Sequence, residues 1–117
     1  MSKKHSKFLT FVGDSSSDMS SFYSLAQTEV IKSGAAKSVG IEYLESQKKI
    51  ILTVGYDDTE TGYPVRIQPI KLGKLELNPT VISQAMEAAA ATVDGVICHE
   101  FYVTEDGEFV MVVMTTV

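Results

Sequence analysis

Apolar residues recur along the chain with two periods, one helical and one strand-like, and their order predicts the secondary structure. The spacing of Phe22, Ala26 and Val30 predicts a helix over residues 18–34. Gly34 is suited to stop that helix in a left-handed conformation. Residues 1–17 show neither the helical nor the strand period over more than a few residues. We expect this N-terminal segment to be a short strand or flexible.

Three strand-like runs follow the first helix, at residues 39–44, 50–56 and 63–77. The first two runs are separated by a short polar turn and are typical of a β-hairpin. In the third run the apolar phase slips at Pro69 and again at Gly73. Proline cannot donate a hydrogen bond to a sheet, so these slips predict a bulge or a break into two strands.

A second helix is predicted after residue 78. Asn78 can cap its first turn, and Pro79 occupies the first helical position, where its missing N–H has no cost. The body of this helix, residues 81–91, is rich in residues that favour helices, and its second half is apolar nearly all round. Gly95 is predicted to end it.

The last part of the chain predicts a hairpin, with strands over 96–103 and 109–117 joined by a turn at 105–108. Residues 109–114 are apolar without alternation. Such a strand is covered on both faces, or one of its faces is an interface.

This order of elements, α-β-β-β-α-β-β, indicates the α+β class: an antiparallel sheet of five to six strands with two helices on one face. Residues 18–117 are predicted to form one domain. Two helices on one face leave the apolar final strand uncovered on the other face. We therefore expect a homodimer, with four interface residues in the last strand and the second helix: Phe109, Met111, Val113 and Ala89.

Composition excludes several classes of protein. The chain has 117 residues, a formal charge of −5 and one cysteine, so a general nucleic-acid binder and a disulfide framework are both poor interpretations. No apolar stretch approaches the roughly 18 residues of a membrane span, and no signal peptide is recognisable. We expect a cytoplasmic protein that binds neither nucleic acid nor membrane and has no cofactor.

The stretch from Gly13 to Asp18 is the most suggestive motif. It resembles the Gly-Asp-Ser block of lipase-like esterases, which implies Ser15 as a nucleophile. It is also similar to the metal-binding segment of haloacid-dehalogenase-type phosphatases, which implies Asp14 and Asp18 as magnesium ligands. Neither match is accompanied by the rest of its machinery, such as a histidine base for the serine. We interpret the stretch as a loop before the first helix and predict no catalytic residue.

Two other clusters of reactive residues have simple structural explanations. In a strand, His99 points away from Cys98 and Glu100, so these three neighbours do not form one site. The acidic loop over residues 57–60 contains oxygen ligands that suit hard cations, but its spacing matches no calcium-binding loop. We predict no metal site in either place.

Arg66, the only arginine, lies in an apolar strand. Its guanidinium is suited to bidentate binding of a carboxylate or phosphate, and Tyr56 and Tyr63 are candidates to line the same pocket. The alternative role for Arg66 is a cross-strand ion pair with Glu42 or Glu100.

Two functions remain open from the sequence. The first is a non-enzymatic, homo-oligomeric protein-interaction module: an adaptor, an immunity-type inhibitor or a chaperone-like domain. The element order looks like that of type III secretion chaperones, although no motif accompanies this likeness. The alternative is a small-ligand-binding protein or hydrolase that uses the Gly13–Asp18 loop or a pocket around Arg66. A polar cluster inside a cavity favours the second function, whereas an apolar groove favours the first.

Overall fold

The structure is a computed structural model that describes residues 7–15 and 19–117. Its helices and strands follow one another as β1 (Lys7–Asp14), α1 (Ser20–Ser33), β2 (Ala35–Leu44), β3 (Lys49–Asp57), β4 (Val65–Lys74), α2 (Pro79–Ala90), β5 (Val96–Val103) and β6 (Glu108–Thr116). The α+β class and the two helices are confirmed. Strand β1 forms in the N-terminal segment and brings the number of strands to six.

The six strands form two antiparallel sheets instead of one. The N-terminal sheet has the order β1-β3-β2, and the C-terminal sheet has the order β4-β6-β5. Strands β2 and β5 lie beside each other where the two sheets meet, but no ladder of hydrogen bonds joins them within the described residues. The prediction of a single sheet is therefore corrected to two sheets of three strands.

The two helices lie on opposite sides of the C-terminal sheet. Helix α1 buries Tyr23, Ala26 and Val30 in a main core to which both sheets contribute. Helix α2 places Ala89 in a separate minor core on the other face of the C-terminal sheet. The prediction of two helices on one face is wrong, because the apolar residues of each helix show which side is buried but not which face of the sheet it covers.

Strand β6 is the central strand of its sheet and supplies both cores. Val112 and Met114 point into the main core, whereas Met111 and Val113 point into the minor core beneath α2. All four side chains are buried. The expectation that this strand is covered on both faces is thus confirmed, and the cover comes from the chain's own two helices.

The ends of the helices differ in part from those predicted. Asn78 caps α2 as expected: its Oδ1 accepts hydrogen bonds from the backbone N–H groups of Thr80 (2.9 Å) and Val81 (3.3 Å). Helix α2 ends at Ala90, so the predicted end at Gly95 is too late. Gly34 follows α1 with φ 164°, which is extended and not left-handed. A Cβ there would lie 2.4 Å from the carbonyl oxygen of Asp57, so close packing is what requires glycine.

Strand β4 forms the outer edge of the C-terminal sheet. Its register with β6 shifts between Lys71 and Gly73, and Gly73 has φ +87°, so the predicted bulge is confirmed. Pro69 lies on this edge strand, where a missing N–H is tolerated. The side chain of Gln27 on α1 accepts a hydrogen bond from the N–H of Ile67 (2.8 Å), which gives that edge group a partner.

Candidate interaction surface

Helix α2 covers only part of the sheet beneath it. Its minor core joins Ala89 and Met86 to residues of β4 and β6. Residues 88–91 are all alanine, and side chains this small do not reach over the neighbouring strand β5. An apolar surface therefore remains open between α2 and β5.

This open surface is a groove of about 190 Å³, which we call the β5 groove. Its floor and walls are formed almost entirely by apolar atoms. The lining residues are Met86, Ala90, Val96, His99, Met111 and Val113, together with Glu87 of α2. A groove of this size accommodates one or two apolar side chains, not a whole ligand of ordinary size.

Exposed apolar residues continue the β5 groove along its strand. Phe101 and Val103 share the face of β5 that carries His99, because they pair with Met111 and Phe109 of β6. Val96, Phe101 and Val103 are 42%, 43% and 41% exposed. The ring of Phe101 stacks on that of Phe109, with centroids 6.0 Å apart, which fixes its position. The groove and these residues together form one apolar surface.

The far end of β5 opens into a polar cleft. The turn between β5 and β6 meets the turn between β2 and β3 there, around a cleft of about 690 Å³. Glu45 accepts a hydrogen bond from the backbone N–H of Glu105 (2.9 Å), which ties the two turns together. Tyr43 donates a hydrogen bond to Glu45, and this hydrogen bond lowers the pKa of the Glu45 carboxyl. The cleft is lined by Tyr43, Glu45, Lys48, Thr104, Glu105, Asp106 and Glu108.

The three predicted ligand-binding residues do not share a pocket. Tyr56 and Tyr63 pack against the main core, and the hydroxyl of Tyr63 donates to the carbonyl of Ala36 (2.8 Å). Arg66 lies between Val65 and Ile67, which point into that core, so its own side chain leaves the strand on the other face. The two grooves that Arg66 lines, of about 600 and 350 Å³, include neither tyrosine.

Arg66 also lacks the ion pair considered for it. Its cross-strand neighbour on β6 is Thr115, whereas Glu42 belongs to the other sheet. Glu100 pairs with Val112 and shares that residue's face of the sheet, away from Arg66. No ion pair of Arg66 occurs in the described part of the chain.

The four residues predicted at a dimer interface are enclosed by the chain itself. Phe109, Met111, Val113 and Ala89 are all buried in this structure. Met111 and Val113 reach the floor of the β5 groove, but the surface residues of that region are Val96, Phe101 and Val103. The predicted interface residues stay a prediction, and burial within one chain removes the reason for choosing them.

Only the first half of the Gly13–Asp18 loop is described, since residues 16–18, including Asp18, lie outside the described residues. Gly13 belongs to β1, and a Cβ there would lie 2.7 Å from the ring of Phe22, so packing against α1 accounts for this glycine. The backbone N–H of Ser15 donates to the carbonyl of Lys48 (2.9 Å). His99 lies on the far side of the C-terminal sheet, in the β5 groove, and is not a base for Ser15.

Strand β5 separates Cys98 from His99, as the sequence predicted. Cys98 opposes Met114 on the main-core side, whereas His99 opposes Val113 on the α2 side. Burial raises the pKa of the Cys98 thiol to about 11, so this side chain is a neutral thiol near pH 7.

The acidic loop after β3 is stabilised from within. The Oδ1 atom of Asp57 accepts hydrogen bonds from the N–H (2.8 Å) and the hydroxyl (2.5 Å) of Thr59, and these bonds lower the pKa of the Asp57 carboxyl. Glu60 forms an ion pair with Lys37 (3.2 Å). Within residues 7–15 and 19–117, no group of three or more His, Cys, Asp or Glu is arranged to hold a metal ion.

The residues that form the β5 groove were largely missed from the sequence. Met111 and Val113 are among the predicted interface residues, but no sequence pattern singles out Met86, Ala90 or Val96. The available signal was the number of apolar residues in β5. Strict alternation would place Val96 on the opposite face from Phe101 and Val103, and a register shift between Val96 and Cys98 brings it onto their face. A strand that is apolar on both faces has to pack against other elements on both. Helix α2 packs over the groove face of β5 only in part.

Comparison with protein-family models, with curated proteins and with solved structures found no match. Neither helix in the described part of the chain is long and apolar enough to cross a membrane.

Proposed function

We propose that this chain is a non-enzymatic protein-interaction module that binds a segment of another polypeptide in the β5 groove. The observation that carries the proposal is an apolar groove, lined in part by Val96 and continued by Phe101 and Val103, in which each of these three residues is more than 40% exposed. Apolar surface of this kind, concentrated at one place, marks interaction sites in proteins that are otherwise well packed.

The alternative, a ligand-binding protein or hydrolase, has less support. A hydrolase with a serine or cysteine nucleophile needs a base and an orienting group within hydrogen-bond reach of it. Ser15, Cys98 and His99 lie on different parts of the described fold, and Arg66 does not share a groove with Tyr56 or Tyr63.

Whether the partner is a second copy of this chain is a separate part of the proposal. The original reason for a homodimer was an uncovered face of β6, and α1 and α2 provide that cover. What remains uncovered is β5, so a second copy is one of two kinds of partner for the groove, and experiment separates them.

The test places a photo-cross-linking residue at position 96, in the groove, and in a second protein at position 42, on the exposed face of the N-terminal sheet. Both proteins are irradiated in the cells of origin, and the masses of the cross-linked products are measured by mass spectrometry. We expect a protein adduct from position 96 and not from position 42. An adduct of twice the chain's mass identifies self-association, and any other mass identifies a different partner.

A second pair of variants separates binding from folding. Val96→Ser removes an apolar side chain from the groove, and Val12→Ser makes the same change at an exposed position of β1. Both side chains are exposed, so we expect both variants to fold and only Val96→Ser to weaken partner binding. Equal adducts from both cross-linking positions, or unchanged binding by Val96→Ser, would contradict the proposal.

A further inference from the structure

The acidic and basic residues divide sharply along the chain. Residues 75–117 contain seven aspartates and glutamates and no lysine or arginine, whereas residues 1–74 contain all ten basic residues against eight acidic ones. Helix α2 and strands β5 and β6, which form the β5 groove, therefore lie in a part of the chain with a formal charge of −7. The rest of the chain is slightly positive.

Two of these carboxylates lie at the groove end of β5. Glu87 is an exposed residue of α2 and lines the groove itself. Asp94 is an exposed residue of the turn that leads from α2 into β5, and it lines the neighbouring groove of about 350 Å³ together with Arg66. Neither forms an ion pair with any described residue.

Three more carboxylates lie at the other end of β5, in the turn that leads to β6. Glu105, Asp106 and Glu108 line the cleft described above. Among the ion pairs of the described residues, Asp106 contacts Lys74 at 3.9 Å, and both side chains are about two-thirds exposed. Lys48, which lines the same cleft, is paired with Glu45 at 3.2 Å, so among the described residues Lys74 alone is left to offset the three carboxylates of the turn.

Strand β5 thus carries apolar side chains between two acidic ends. Eight residues of extended strand span about 26 Å. Phe101 and Val103 lie between the groove and the acidic turn, on the face that carries His99. A segment that lies along this face passes Glu87, then the apolar side chains, and ends at the exposed carboxylates of Glu105 and Asp106 in the turn. Glu108 lies on the opposite, main-core face of β6, because it directly precedes Phe109.

We infer that the partner is a lysine- or arginine-rich segment of another protein, with apolar side chains at its centre. This inference rests on the proposed function and specifies its partner. Apolar side chains of the segment enter the groove and contact Phe101, while its basic residues reach the carboxylates at either end. Complementary charge speeds association and selects among partners. The same carboxylates repel the phosphates of nucleic acids and of anionic membranes.

The test is a selection of random twelve-residue peptides displayed on phage, against the wild-type protein and against Val96→Ser. We expect peptides that require Val96 to carry net positive charge and at least one large apolar residue. Enrichment of neutral or acidic peptides that require Val96 would overturn the inference while leaving the groove as a binding site. Enrichment of peptides that bind both proteins equally would count against the groove and so against the proposed function.

Two double variants with equal charge changes then test the carboxylates. Glu87→Gln with Asp94→Asn neutralises the groove end, and Glu42→Gln with Asp58→Asn neutralises two exposed carboxylates on the N-terminal sheet and its loop. For a selected peptide measured by fluorescence anisotropy, we expect Kd to rise about tenfold in the first double variant and less than about twofold in the second. Equal changes in both would show that only net charge matters and would overturn the inference.

Salt and self-association provide two final measurements. Raising NaCl from about 50 to 300 mM should weaken wild-type binding more than it weakens binding by the groove-end double variant, because screening acts on the charges that the variant lacks. An equal effect of salt on both would contradict the inference. Sedimentation of the free protein should give a monomer, and a dimer that Val96→Ser abolishes would identify the partner as a second copy instead.

Discussion

The surroundings of the two helices differ in how completely their apolar side chains are covered. Helix α1 lies against both sheets and places Tyr23, Ala26 and Val30 where each is almost completely buried. Helix α2 has the more uniformly apolar sequence, yet Ala89 is the one residue of that helix that is buried. The helix that is richer in alanine and other apolar residues is thus the less enclosed one.

The size of the side chains explains this difference. Tyr23 is large enough to fill the space between α1 and the strands of the main core. Helix α2 has alanines where it faces the sheet, and their side chains are too small to fill a space of that size. Alanine lets a helix approach a sheet closely, but it does not extend sideways. An alanine-rich helix on a three-stranded sheet therefore leaves part of the sheet open, and in this protein the open part is β5.

The strongest test of the comparison is a pair of truncations, one in each core. Leu52→Ala removes a completely buried side chain from the main core, and we expect it to lower the free energy of unfolding by about 2–5 kcal/mol. Met86→Ala removes a half-buried side chain beside the groove, and we expect a loss of roughly 1–2 kcal/mol. Urea unfolding followed by circular dichroism measures both.

If both truncations cost the same, the minor core is as well packed as the main core, and the contrast between the helices would be wrong. A smaller slope of the unfolding free energy against urea concentration in either variant would show that the variant changes the unfolded state as well.

The next effect concerns how each helix begins. Asn78 caps α2 with its side chain, whereas the side chain of Met19, the described residue before α1, forms no such hydrogen bond. We expect Asn78→Ala to cost about 1 kcal/mol in unfolding free energy, because two N–H groups lose their acceptor. Asn78→Asp keeps an acceptor oxygen and serves as the control, with stability close to wild type. A loss of the same size in the control would mean that the cap does not stabilise α2.

The smallest expected effect on stability comes from a comparison of thiol reactivity on the two faces of β5. Because the raised pKa of about 11 keeps Cys98 as a thiol, we expect a thiol reagent at pH 8 to modify it at least about tenfold more slowly in the folded than in the urea-unfolded protein. In a variant with Cys98→Ser and His99→Cys, the thiol lies on the groove side and should react readily. Similar rates for both folded proteins would show that the groove side of β5 is covered.

The sequence predicted the local elements well because their signals are local. Asn78 followed by Pro79 determines where α2 begins, and the turn at 105–108 determines the final hairpin. The lack of alternation over 109–114 correctly indicated two covered faces for β6. Each of these inferences depends on neighbouring residues and on the period of a helix or strand.

The arrangement of sheets and helices could not be predicted in the same way. Apolar periodicity shows that Val30 and Ala89 are buried, but it does not show that they lie on opposite faces of a sheet. The β5 groove depends on how far α2 extends over that sheet, which is a property of the packed structure. Arg66 and Tyr56 were grouped by residue type, and their strands place them apart.

The central place of β6 has a consequence for the order in which the protein folds during synthesis. The strand pairs of the N-terminal sheet involve no residue beyond 57, so its three strands can pair early on the growing chain. In the C-terminal sheet both β4 and β5 pair with β6, which the ribosome makes after them. Until β6 has left the ribosome, β4 has no neighbouring strand, and the apolar residues of α2 and β5 are exposed to the cell. We therefore expect a stage in synthesis at which the N-terminal strands can pair while the main core still lacks Val112 and Met114 of β6.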